Sequence, residues 1–279
     1  MGVLLSLLAA ICYGTSDFAA GIGGRRGDAG AVAIIAQPIT LVAAVVAVLV
    51  VSPPAPTASA LWWGAAAGVA SGVGTLALYR GLATARMSVV APLSGVLTAA
   101  IPVVVGALLG DRLPWLAWVG VGIAVPAALL VSLVPDDSGR ARHSGVVEGV
   151  IAGVGFALLF IALAQTGTDA GAWPLVPTQA VSVVVVVAAA IPHARRPARE
   201  AWGPSLRPGL LTGVLGGAAA LAYLSATGFG QLAVVAVITA LYPAVTVLMA
   251  RFIEHERWAP LQLVGLVAAV VAVVLIGIG

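Results

Sequence analysis

The sequence predicts an all-α integral membrane protein, with ten transmembrane helices arranged as two inverted five-helix repeats. Three observations predict it. The chain is 61% hydrophobic and 8% charged, against roughly 25% charged in soluble domains, and its mean hydropathy is +1.14. Its apolar residues fall into continuous runs near the length that crosses a hydrocarbon core, about 20 residues. Residues 85–125 also lie without a gap over residues 230–270.

The expected spans, in order, are 3–22, 30–51, 60–84, 88–110, 114–134, 145–166, 173–192, 209–227, 231–253 and 260–278. The first opens on MGVLLSLLAAICYG, with no basic residue before an apolar run too long for a signal core, so it reads as a membrane helix rather than a leader. The second carries Gln37. The third contains GVASGVG at 68–74, a small-residue spacing that lets helices approach closely, and ends beyond Tyr79 and Arg80. The fourth is broken by Pro92 and Pro102, which free backbone carbonyls or permit bends. A tight turn at Asp111-Arg112 leads into the fifth, and the longer connection PDDSGRARHS (135–144) follows. The sixth opens on Glu148, an acid that complements a helix N-terminus, and closes near Gln165. The seventh holds Gln179 and VSVVVVVAAA (181–190), β-prone residues that lipid forces into a helix because the backbone must satisfy itself. HARRPAREAWGPSLRP (193–208) precedes the eighth, which contains GVLGG (213–217). The ninth carries Pro243, with Arg251 and Glu254 as interfacial anchors at its end. A capped, locally paired turn at Glu256-Arg257 leads into the tenth.

The internal match defines two repeats, 1–134 and 145–279. VVA falls on VVA, Asp111-Arg112 on Glu256-Arg257, and Val119-Gly120 on Val264-Gly265. An odd number of spans per repeat forces the second copy to lie inverted, a geometry common in secondary transporters with a site near the midplane between the halves. All thirteen basic residues are arginines, and all but Arg112 lie in or beside the connections that follow odd-numbered spans. The positive-inside rule then places those connections in the cytoplasm and both termini outside.

Asp17, inside ICYGTSDFAAG, is the outstanding residue. A carboxylate within a span costs on the order of 2.5–3.5 kcal/mol by insertion scales. Tyr13 precedes it by one helical turn on the same face. Three readings stand side by side: an ion pair with Arg80, which lies at similar depth in the third span; a carboxylate facing a central cavity, where it binds a substrate amine or a coupling proton; or a protonated acid that only hydrogen-bonds. Tyr79, Ser94, Thr98, Tyr223, Thr239 and Tyr242 also lie well inside their runs and suit a cavity lined by hydroxyls and aromatics. His143, His193 and His255 all fall in connections, and Cys12 is alone in an apolar run. No catalytic cluster, resident metal or cofactor is expected, and the positive charge belongs to loop anchors rather than to a nucleic-acid surface.

YGTSDFAAG, ARMSVVAPLSGVLTAAIP, LLGDRLPWLAWVG and FIEHERWAPLQLVG resemble EamA-type members of the drug/metabolite transporter superfamily, and the resemblance covers essentially the whole chain. It implies ten helices in two inverted repeats and the export or exchange of small metabolites. Typical members carry a tryptophan-glycine pair and then an asparagine in the first span. Here Tyr13-Gly14 holds the first place and Asp17 stands near the second. Members usually keep both termini in the cytoplasm, whereas the arginines of this chain argue the opposite.

The resulting expectation is a secondary transporter, not an enzyme. It would export or exchange small neutral or zwitterionic, amino-acid-like metabolites by alternating access in a cell membrane, with the bacterial inner membrane expected. Protons are a candidate coupling ion, lipid is the surroundings, and the chain acts as a monomer or homodimer. The alternatives are proton-coupled multidrug efflux of lipophilic cations, which needs an unpaired acid among aromatics, and a non-transporting membrane scaffold.

Overall fold

A computed structural model describes residues 1–51, 55–110, 114–132, 144–166, 170–190, 198–227, 229, 235, 238–256 and 258–278. Among them are ten helices: α1 (Gly2–Arg26), α2 (Ala29–Val51), α3 (Ala58–Thr84), α4 (Met87–Leu108), α5 (Trp115–Ser132), α6 (Val146–Ala164), α7 (Leu175–Ala190), α8 (Ala198–Thr227), α9 (Tyr242–Phe252) and α10 (Pro260–Ile278). Asp111, Arg112, Arg257, His143, His193 and most of the 135–144 connection lie outside the described residues.

Seven of these helices are long and apolar enough to cross a membrane by length and composition, namely α1, α2, α3, α4, α6, α8 and α10. The other three carry shorter apolar stretches among the described residues, although α5 lies within the expected 114–134. The apolar parts of α5 and α7 are shorter, Trp115–Leu130 and Leu175–Ala189. In the seventh, residues 170–174 form a turn before the helix, which removes the first residues of the expected 173–192. In the ninth, α9 has Pro243 in its first turn, where a missing N–H costs nothing and a fixed φ favours a start; before it, Val235, Ile238 and Thr239 are also helical. The eighth begins eleven residues early, at Ala198, and absorbs much of the 193–208 connection. Its polar stretch is anchored at Ser205, whose hydroxyl accepts from the Asp28 amide at 3.0 Å. Asp28 in turn caps α2 by accepting from the Ala31 amide at 2.9 Å.

Eight helices close a ring in which the two halves of the chain alternate. α1 packs between α8 and α9, α2 between α7 and α8, α3 between α6 and α7, and α4 between α6 and α9. α5 and α10 pair with each other beside α4, over a core that includes Ala124, Ala127, Ala269 and Ala272. Small residues permit the close crossings. A Cβ on Gly68 of α3 would stand 2.5 Å from the Thr178 carbonyl oxygen of α7, and one on Gly213 of α8 would stand 2.8 Å from the Ala36 carbonyl oxygen of α2.

Hydroxyls and amides stitch the same crossings. Ser16 of α1 donates to the Thr212 carbonyl of α8 at 2.9 Å, and Thr212 donates back to the Ser16 carbonyl at 3.3 Å. Thr246 of α9 donates to the Gly14 carbonyl at 3.0 Å. Gln37 of α2 donates to the Ser182 hydroxyl of α7 at 3.0 Å, deep in the ring. Gln37 is therefore interhelical glue rather than a cavity amide. Gln165 is exposed and Gln179 half-buried.

Candidate functional site

α1 buries Asp17 within reach of side chains from α3 and α9. The side chain is 8% exposed, and no hydrogen bond or ion pair among the described residues reaches its carboxylate. Three tyrosines from three helices stand within electrostatic reach of it: Tyr13 of α1, Tyr79 of α3 and Tyr242 of α9. The Tyr13 and Tyr242 rings sit 5.9 Å apart between centroids, tilted by 57°. Tyr79 lies within hydrogen-bonding reach of the Ser16 hydroxyl, and Tyr223 of α8 is near Tyr13. The centre is thus one carboxylate with three phenols in reach and Tyr223 beside Tyr13, drawn from both halves of the chain.

Arg80 is not part of it. It is exposed, and the ion pair with Asp17 that equal depth in the two helices suggested does not form. Successive helical residues point about 100° apart, so directing Tyr79 inward turns Arg80 away. Ser94 and Thr239 are buried at 1% and 7% exposure, and both hydroxyls lack a hydrogen-bond partner. Thr98 spends its hydroxyl on the Gly153 carbonyl of α6, a long contact at 3.5 Å. The N-terminus of α9 lies beside this centre, with no side-chain cap on its first turn. Such an end carries a partial positive charge. Two cavities, of about 300 and 700 Å³, lie elsewhere, and Asp17 lines neither.

A second polar assembly lies at the end of the ring where the α1, α3 and α9 C-termini meet the start of α4. Arg25 of α1 donates to Glu254 at 2.9 Å and to Glu256 at 3.2 Å, and also to the Ala85 carbonyl at 3.1 Å. Glu256 accepts from the Met87 and Ser88 amides at 3.1 and 3.2 Å. The positive φ of His255, 54°, turns the chain between α9 and α10 tightly enough to send both carboxylates back onto α1 and α4. Glu254 and Glu256 thus reach well beyond their own turn. They latch the second half onto the first. The signal was in the sequence at α4: Arg86, at its N-cap, makes no side-chain cap hydrogen bond, so the first amides of that helix need an acceptor from elsewhere. Arg251 stays local, donating to the Glu256 carbonyl at 3.3 Å and lying 5.8 Å from the Trp258 ring centroid.

Residues 143–278 match the family model of the EamA-like transporter family. The second half of the chain is thus similar to that family. Together with the seven long apolar helices, that similarity supports a multi-pass membrane protein. A solved crystal structure, described only as that of a protein, superposes with a TM-score of 0.58 at 15% identity, covering 98% of this chain and 95% of that one. Likeness at that identity speaks to the fold alone. No curated protein sequence matches the chain. The EamA match covers the residues that carry Tyr223, Thr239, Tyr242, Glu254 and Glu256, but Asp17 lies outside it.

Proposed function

We propose that this EamA-like protein is a secondary transporter built from two inverted five-helix repeats, 1–134 and 145–279, that moves a small amine-bearing, amino-acid-like metabolite by alternating access. The repeat reading draws support from residues displaced by 145 positions, the displacement of the gapless alignment. Gln37 and Ser182 are so related and hydrogen-bond to each other, as equivalent residues do where a two-fold axis passes between them. Ala124 with Ala269 and Ala127 with Ala272 share one core. Gly64, Gly68 and Gly72 face α7, while their counterparts Gly209, Gly213 and Gly217 face α2. Exchanging the halves maps the alternating ring onto itself.

One observation carries the transport reading: a buried carboxylate, without a hydrogen bond or ion pair among the described residues, in a helix long and apolar enough to cross a membrane. In lipid such a group is costly, and it marks a substrate or ion pathway. Asp17 is suited to receive an ammonium, with the phenols of Tyr13, Tyr79, Tyr223 and Tyr242 giving hydroxyls and ring faces to a cation. The free hydroxyl of Thr239 suits a substrate carboxylate. The latch of Arg25 with Glu254 and Glu256 closes one end and would part when that end opens. The arginines gathered there support both termini outside, in a bacterial inner membrane.

Efflux of lipophilic cations in exchange for protons is the second reading. It is favoured by the same unpaired acid among aromatics, and by the outward turn of Arg80, which leaves no cationic side chain among those around Asp17. Purified protein in proteoliposomes separates the two. Uptake of labelled zwitterionic amino acids, with little uptake of lipophilic amines and sugars, is the expected result. Flux of lipophilic amines alone would replace the first reading with the second, and flux of neither amine class would remove Asp17 from substrate recognition.

A further inference from the structure

Arg25 and Arg26 are consecutive, yet they do opposite things. Arg25 is consumed by the latch, while Arg26 turns to the other side of α1 and is exposed. There it borders a cavity of about 700 Å³ between α8 and α9, floored by α1. The size falls within the range of small-molecule sites, about 300–1,000 Å³. Phe18, Ile22, Leu211 and Met249 supply apolar wall, and Arg207 of α8 brings a second exposed guanidinium to the same cavity. Among the described side chains no carboxylate pairs with either arginine.

The direction in which the groove opens decides what can fill it. Leu4, Leu8 and Ile11 of α1 are 67%, 49% and 53% exposed, a stripe at helical spacing that faces hydrocarbon. Thr15, Ile22 and Arg26 continue the same stripe into the groove. Asp17 lies on the opposite side of the helix. The groove is therefore entered from the bilayer, has an apolar wall at acyl-chain depth, and ends in two arginines where the helices reach the headgroup layer. Basic pockets between membrane helices at this level hold anionic headgroups.

We propose that the groove between α8 and α9 is a binding site for an anionic glycerophospholipid, with one acyl chain lying along Phe18, Ile22, Leu211 and Met249 and the phosphate held by Arg26 and Arg207. The chemistry required is a monoanionic phosphodiester at the end of a hydrocarbon chain, which a zwitterionic headgroup meets less well because its own ammonium competes for the phosphate. This assignment does not depend on what the central site transports.

The test is native mass spectrometry of the full-length protein, released from detergent and titrated with phosphatidylglycerol or with phosphatidylcholine of the same acyl chains. Wild type should retain phosphatidylglycerol in preference to phosphatidylcholine. Arg26→Gln with Arg207→Gln should weaken phosphatidylglycerol binding about thirtyfold, the combined effect of two basic residues at the membrane surface. Leu211→Trp, which fills the groove and keeps both arginines, should weaken binding of the same lipid at least several-fold. Equal retention of the two lipids overturns the assignment. So does a phosphatidylglycerol preference that survives the double substitution, which would place the lipid on other arginines. Loss in the double variant with full binding in Leu211→Trp also overturns it, because the interaction would then be surface charge without a groove.

Discussion

Replacing Glu256 by alanine tests whether the two halves are held together at the arginine-rich end. Glu256 is 8% exposed at its side chain and Arg25 is 12% exposed, so neither charge is strongly screened. The substitution removes an acceptor from the Met87 and Ser88 amides, and losing a helix cap costs about 0.5–2 kcal/mol. Breaking a buried pair by removing one partner costs about 3–5 kcal/mol. Here the lower part of that range applies, because Glu254 still holds the Arg25 guanidinium at 2.9 Å. The two losses overlap, and together they amount to about 3–4 kcal/mol. For a chain of this size that corresponds to a fall in apparent Tm on the order of 10 °C. Thermal scanning in detergent, read by fluorescence-detected size exclusion, measures it directly. Glu256→Gln should lose less, since its amide oxygen still accepts from the α4 amides. Combining Glu256→Ala with Arg25→Met should cost less than the sum of the two single changes. A Tm loss under about 2 °C in Glu256→Ala, or single losses that simply add, would refute the latch.

Three further outcomes follow from the packing. Gly213→Leu forces atoms into the Ala36 carbonyl and Ile39 and should cost at least about 1–3 kcal/mol by overpacking. Gly122→Ala, with nothing within 4 Å, should be neutral or stabilise by about 0.5–1 kcal/mol, and the same thermal scan compares the two. Gln37→Leu and Ser182→Ala should each destabilise, with a double-mutant coupling of about 0.6 kcal/mol and no more than about 1.7 kcal/mol, as interhelical hydrogen bonds in membranes show. Arg80→Gln should change neither flux nor Tm measurably, staying within about 0.5 kcal/mol, because the residue is exposed and outside the central group.

The all-α class and most helix positions were legible because lipid leaves the backbone few choices: continuous apolar runs must be helices, and charges and prolines mark their ends. Asp17 was legible for the same reason, since a carboxylate inside such a run has no cheap explanation. Tyr13 was placed beside it by helical spacing alone. Tyr79 and Tyr242 were legible as inward candidates, but their meeting around Asp17 depends on tertiary packing that spacing does not encode. Arg80 was misleading because depth along a helix says nothing about which face a residue takes. The latch was hidden by sequence distance, with Arg25 some 230 residues from its partners, and by the plausibility of local pairing at Glu256-Arg257. The start of α9 was half-legible, since Pro243 marks a weak point in the span. The glycine ladder in α3 and α8 read as two unrelated packing motifs until the 145-residue displacement joined them.

The measurement that bears most directly on the central claim is flux through Asp17→Asn beside wild type in proteoliposomes, with lumenal pH followed by a dye and thermal stability measured on the same preparations. The account predicts that Asp17→Asn folds, keeps or gains thermal stability because a buried charge is gone, and loses transport of the amine-bearing substrate together with any linked proton movement. Undiminished flux in Asp17→Asn, with a lowered Tm, would contradict it: the carboxylate would then be a structural element, and the site would have to lie among the tyrosines and hydroxyls without it.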